Sequence, residues 1–89
     1  MLKASDKVLF QKLGDEAVIL HLDSEEYFGL DAIGTRMWEI FLGEGEGNID
    51  KSIPLLLEEY EVEEDRLKQD MEELITALKA ENILINQES

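Results

Sequence analysis

The sequence predicts an α+β domain in which a three-stranded antiparallel sheet is followed by three helices. Apolar residues recur with a period of two from Lys7 to Leu30, and with a period near 3.6 beyond Leu30. Clusters of Gly, Asp, Glu and Ser cut the first stretch into short apolar runs, the mark of a meander. Loop and cap residues divide the second stretch into three helical segments.

In the first strand Val8, Phe10 and Lys12 alternate with Leu9, Gln11 and Leu13, and Gly14-Asp15-Glu16 ends the run. Ala17 to Leu22 is a β-branched second strand, Asp23-Ser24-Glu25 a turn, and Tyr27-Phe28-Gly29-Leu30 a short third strand. Asp31 is suited to cap the first helix, whose apolar stripe reads Ile33, Met37, Ile40 and Phe41. Gly34 inside that helix costs roughly 1 kcal/mol against alanine, which points to a close packing contact. The Gly43–Gly47 segment reads as a flexible loop. The second helix runs to about Tyr60, capped by Asn48 or Ser52. Pro54 favours Ser52, because proline fits the first turn and not deeper positions; an Asn48 cap would bring a kink. The third helix, about Glu63 to Ala80, has acids in its first turn and Lys79 in its last, matching the helix dipole. Leu67, Met71, Leu74 and Leu78 form its stripe, with Ile75 on the shoulder. Ile83-Leu84-Ile85 is a closing strand or a packed tail.

With 89 residues, the chain fits one domain, 1–89, with a core over about 7–85. Its composition, 44% apolar and 34% charged, is that of a globular protein rather than a disordered one. The net charge of −14 argues against nucleic acid, whose binding draws on Lys and Arg, and against anionic membranes. No apolar run reaches the ~20 residues of a membrane helix, and the first residues contain no signal-type apolar stretch. A cytoplasmic monomer is expected.

Chemistry has little to draw on. There is no cysteine, so no thiol nucleophile, disulfide or cysteine-based zinc site. His21 is the only histidine, without the partners a triad or metal centre needs, and reads as a surface or half-buried strand residue. The acidic runs lack calcium-loop spacing and read as solvated faces. Gly43 to Gly47 lacks a following Lys and Ser/Thr, and Glu44 and Glu46 would repel phosphate. Trp38, Met37 and Met71 read first as core. We therefore expect no catalytic residue, no metal, no cofactor and no enzymatic activity.

Three strands followed by three helices are compatible with a winged helix-turn-helix-like domain. At Glu25-Glu-Tyr-Phe-Gly-Leu-Asp-Ala-Ile-Gly-Thr-Arg-Met-Trp-Glu-Ile-Phe41 the sequence resembles the PqqD-like family. That family has a strand ending Tyr-x-x-Leu-Asn/Asp, followed by Gly-x-x-Ile/Met-Trp-x-Leu/Ile. Leu57-Glu-Glu-Tyr60-Glu-Val62 and the acidic start of the next helix fit the family's second half, so the resemblance spans about 7–85. The Tyr-Phe-Gly-Leu form and the short chain look most like the stand-alone recognition proteins of lasso peptide biosynthesis. The resemblance implies a recognition element that binds the leader of a ribosomally made precursor peptide. The leader peptidase, and a cyclase acting afterwards, would then be further partners. It also implies that the leader docks as an added antiparallel strand between the third strand and the third helix.

Carried onto this sequence, the peptide-binding residues are Glu26, Tyr27, Phe28, Gly29 and Leu30 on the strand, and Leu67, Lys68, Met71, Leu74, Ile75 and Leu78 on the helix. Strand addition needs an unpaired sheet edge and side-chain pockets beside it. Gly29 would let a second backbone come close, methionine suits an adaptable wall, and Lys68 could meet an acid of the peptide. Phe28 and Leu30 are assigned mainly to the core and Tyr27 to the opposite face. Three other functions compete. A PqqD-type chaperone for another modified peptide shares the fold. A winged-helix DNA reader needs a basic recognition helix, and the third helix is acidic. An acidic adaptor would bind a basic partner with steep salt dependence.

Overall fold

The computed structural model describes residues 2–86, so Met1 and residues 87–89 of the expected 1–89 domain lie outside the described residues. The elements run β1 (Leu2–Ala4), β2 (Val8–Leu13), β3 (Glu16–His21), β4 (Glu26–Leu30), α1 (Ala32–Leu42), α2 (Ile49–Glu59), α3 (Glu64–Ala80) and β5 (Leu84–Asn86). The predicted meander is β2-β3-β4, antiparallel throughout, with Phe10 opposite Ile19 and Ile19 opposite Phe28. The tail is a strand: β5 pairs antiparallel with β1, Lys3 opposite Ile85. No helix among the described residues is long and apolar enough to cross a membrane.

Alternation along the three-stranded sheet gives it one covered and one open face. The covered face presents Phe10, Ala17, Ile19, Phe28 and Leu30 to the helices; Ile19 and Ala17 are buried and the Phe10 ring stacks on Trp38 with centroids 5.6 Å apart. Met37, Trp38 and Phe41 of α1 join Leu56 of α2 and the α3 stripe in one core. Trp38, Met37 and Met71 are thus core residues, as the sequence reading has them.

Asp31 caps α1 as expected, its carboxylate accepting the Gly34 N–H at 2.7 Å. The same carboxylate explains Gly34, where a Cβ would lie 3.0 Å from Asp31 Oδ1 and 3.4 Å from a Leu30 methyl. Ile33 departs from its predicted stripe and is exposed; the buried face begins at Gly34. Asn48, not Ser52, caps α2: its side chain accepts the Lys51 N–H at 3.0 Å. Ser52 lies inside the helix, fully buried, donating its hydroxyl proton to the Asn48 carbonyl at 2.7 Å. Pro54 is accommodated deeper than the first turn because it sits on the exposed side, where water can serve the carbonyl it leaves unbonded.

The glycine loop is a tight cap rather than the flexible segment expected. Gly45 N–H donates to the Ile40 carbonyl at 2.8 Å and Gly47 N–H to the Phe41 carbonyl at 2.7 Å. Gly45 is buried, and a Cβ there would collide with Ser52 Oγ. In α3 the buried residues are Leu67, Met71, Ile75 and Leu78. Ile75 therefore belongs to the stripe, and Leu74, half-buried, is its shoulder.

Candidate functional site

The free edge of β4

Among the described residues β4 is an outer strand of its sheet, and the register identifies which of its backbone groups have no partner among them. Leu22 N–H donates to the Lys7 carbonyl at 2.7 Å, extending the β2-β3 register by one pair. Hydrogen-bonded and non-hydrogen-bonded pairs alternate along an antiparallel ladder. Leu20 and Val18 therefore turn their backbone groups toward β2, and Ala17, Ile19 and His21 turn theirs toward β4. Their partners are Leu30, Phe28 and Glu26. The remaining β4 residues, Tyr27 and Gly29, aim N–H and C=O at the open edge. The side chains divide accordingly: Tyr27 stands on the outer face, 72% exposed, whereas Leu30 is buried and Phe28 half-buried against the core.

The second wall is α3. Its core row of Leu67, Met71, Ile75 and Leu78 leaves two flanks. One faces α2, where Lys68 Nζ lies 3.6 Å from Asp50 Oδ1. The other carries Asp70, Leu74 and Ala77, each half-buried, and leads to Glu81. This flank meets the start of β4 in a cleft of about 380 Å³ lined by Glu26, His21 and Asp23 on one side and Ala80, Glu81 and Asn82 on the other. His21 Nδ1 accepts the Asp23 N–H there at 3.3 Å, a local turn contact.

The expected site residues thus separate into three groups. Glu26, Tyr27, Phe28 and Gly29 lie along the open strand, with Leu30 buried at its end. Leu67, Met71, Ile75 and Leu78 are core, at most 5% exposed, and form a floor rather than an accessible wall. Leu74 is half-buried on the flank that leads to Glu81, whereas Lys68 is turned to α2. Asp70, Ala77 and Glu81 complete that flank and escaped the sequence reading. Their only signal is helical spacing from Leu74, which does not say which side α2 occupies.

Charge elsewhere is handled by surface pairs. Arg36 forms a two-pronged bridge to Glu59, at 2.8 and 2.7 Å, and a weaker contact to Glu39 at 3.5 Å. The hydrogen bonds from Arg36 hold the Glu59 carboxyl below its usual range. Beyond the edge, the outer face of the sheet is apolar. Leu9, Leu13 and Tyr27 are 56%, 59% and 72% exposed. With Gln11, Val18 and Leu20 they line a shallow concavity of about 480 Å³.

The profile of the coenzyme PQQ synthesis protein D family, PqqD, matches residues 16–84, most of the chain and the whole of β4, α1, α2 and α3. The chain belongs to the PqqD family. Among solved structures it is similar to TbiB1 in complex with the TbiA(beta) leader peptide: 32% identity, TM-score 0.83, covering 98% of this chain and 99% of that one. It also shares its fold with a lasso peptide synthetase B1 complexed with the leader peptide, at 24% identity and TM-score 0.81, covering 96% of this chain and 98% of that one. Nothing among curated protein sequences matches the chain. The PqqD assignment and the α+β architecture, three antiparallel strands followed by three helices, agree with the sequence reading.

Proposed function

We propose that this PqqD-family protein binds the leader segment of a ribosomally synthesised precursor peptide and presents it to the processing enzymes of lasso peptide biosynthesis. The observation that carries the reading is the near end-to-end similarity to TbiB1, a protein captured with a leader peptide. The free edge of β4 supplies the physical means. The leader adds as an antiparallel strand, exchanging main-chain hydrogen bonds with Tyr27 and Gly29. Its side chains then alternate. The leader residue opposite Phe28 points inward, toward Leu74 and the floor formed by Met71 and Leu78. Those opposite Tyr27 and Gly29 point to the outer face.

The protein acts by binding, with no chemistry of its own, and delivers the leader to a leader peptidase before the cyclase acts. Delivery needs a second surface that stays open while the edge is occupied. The β2 side of the outer face, with Leu9 and Leu13, lies away from the added strand and meets that need for the peptidase, and its apolar character suits a docking protein. Lasso biosynthesis is preferred to another modified-peptide pathway because the Tyr-Phe-Gly-Leu form of β4 resembles the stand-alone recognition proteins of that pathway, and a lasso peptide synthetase B1 shares the fold.

The test is a titration, followed by polarisation, of fluorescein-labelled leader peptides, the TbiA(beta) leader and that of any short precursor found by inspecting the neighbouring genes. Saturable binding supports the reading, and no binding of leader or full precursor defeats it. Mass spectrometry of precursor incubated with this protein alone should show an unchanged mass; cleavage or modification would contradict a purely binding role.

A further inference from the structure

Five of the six glycines are explained inside the fold. Gly14 and Gly47 have positive φ, 66° and 73°, and at Gly34, Gly43 and Gly45 a Cβ would press on neighbouring atoms. Gly29 differs: its φ is not in the left-handed region, and a Cβ there would meet nothing within 4 Å. It also sits in the interior of β4, in unbroken register opposite Val18, where glycine weakens a strand. Neither conformation nor internal packing requires it.

Close backbone approach does not require it either. An added strand arrives in the plane of the sheet, whereas a Cβ at Gly29 would project perpendicular to that plane. What the missing side chain leaves is a notch on the outer face. Val18 lies across the sheet from it, Tyr27 lies two residues along β4, and both side chains line the outer concavity. Because the Gly29 N–H and C=O face the open edge, an added strand makes a hydrogen-bonded pair with Gly29. The side chain of the paired residue then rises on this same face, about 5.5 Å away between Cα atoms.

From this we infer that Gly29 is a specificity element: the leader residue paired with it carries a large apolar side chain, an aromatic ring filling the space best, that folds over Gly29 onto Val18 beside Tyr27. A ring lying over an edge glycine recovers the cross-strand contact that the glycine forgoes. The inference rests on the strand-addition reading above and adds to it the chemistry of one leader position.

The test uses phage-displayed random peptides of strand length, panned on immobilised wild-type protein, on Gly29→Val and on Gly29→Ala. Wild type should enrich an aromatic residue at one position, in alternation with the apolar positions that face α3. The consensus peptide should bind Gly29→Val about tenfold or more weakly, although the variant melts no lower than wild type. Replacing the aromatic residue of the peptide by alanine should remove most of that difference. Gly29→Ala, whose methyl has room in the fold, should weaken binding in the same direction and carries the test if Gly29→Val does not fold. Equal affinity of the consensus peptide for wild type and the folded variants would overturn the inference. So would an equal loss with the alanine peptide. If wild type enriches no peptide, strand addition itself fails, an outcome distinct from either.

Discussion

Proline placed along β4 should separate binding from folding by parity. Tyr27 and Gly29 turn their N–H groups to the open edge and Phe28 turns its own toward Ile19. At Gly29, proline removes one main-chain bond to the leader, worth about 0.5–1.5 kcal/mol net. That is roughly a twofold to tenfold loss of affinity, before the ring's interference with the incoming strand is added. The inner ladder keeps its bonds, since edge positions with outward N–H groups tolerate proline. At Phe28 the same change deprives the Ile19 carbonyl of its donor. Ile19 is completely enclosed, so the orphaned carbonyl costs about 1–3 kcal/mol, and loss of the half-buried phenyl ring adds to it. A chain of this size has a total stability of roughly 4–13 kcal/mol, so Phe28→Pro should lose a large share of it. The assay pairs leader titration with thermal melts of Tyr27→Pro, Phe28→Pro and Gly29→Pro, using Tyr27→Ala and Phe28→Ala to correct for the lost side chains. Full leader affinity in folded Tyr27→Pro and Gly29→Pro proteins would refute strand addition at this edge.

Met71 is fully enclosed, so Met71→Ala should destabilise by about 2–5 kcal/mol in a denaturant melt. Met71→Asp should unfold the protein rather than weaken binding in a folded one. Lys68→Ala should leave leader affinity within about twofold, a change too small to read as a lost contact; a larger loss in the titration would bring the α2-facing flank into the site. The carboxyl of Glu59 is depressed by Arg36, so its contribution to stability is present above the ordinary carboxylate range and is lost as pH falls through the depressed value. Glu59→Gln should thus be less stable than wild type at neutral pH. The gap should close as pH falls below the ordinary carboxylate range in melts across pH, with leader affinity unchanged throughout.

Features encoded in neighbouring residues were legible in the sequence. The three-stranded meander, the Asp31 cap, the buried Trp38 and the packing reason for Gly34 all follow from local pattern and agree with the structure. Features set by distant partners were not. β1 has three residues and no alternation to read, and it exists because Leu2 pairs with Asn86 at the other end of the chain. Ser52 is the better cap by proline position, but enclosure at the foot of the glycine cap places it inside α2. Leu74 and Ile75 are adjacent and both aliphatic, so helical angle alone does not decide which enters the core. The position of α2, marked by the Lys68–Asp50 contact, does. The same fact moves Lys68 away from the proposed groove and brings Asp70, Ala77 and Glu81 toward it. The outward parity of Tyr27 and Gly29 likewise depends on the register with β3.

The most direct measurement is amide hydrogen exchange along β4, residue by residue, with and without the leader peptide. Strand addition predicts that Phe28 is protected in the free protein by its bond to Ile19. The Tyr27 and Gly29 amides should exchange freely until leader is bound and become protected at saturation. Protection that appears elsewhere on leader binding, while Tyr27 and Gly29 continue to exchange as in the free protein, would contradict it.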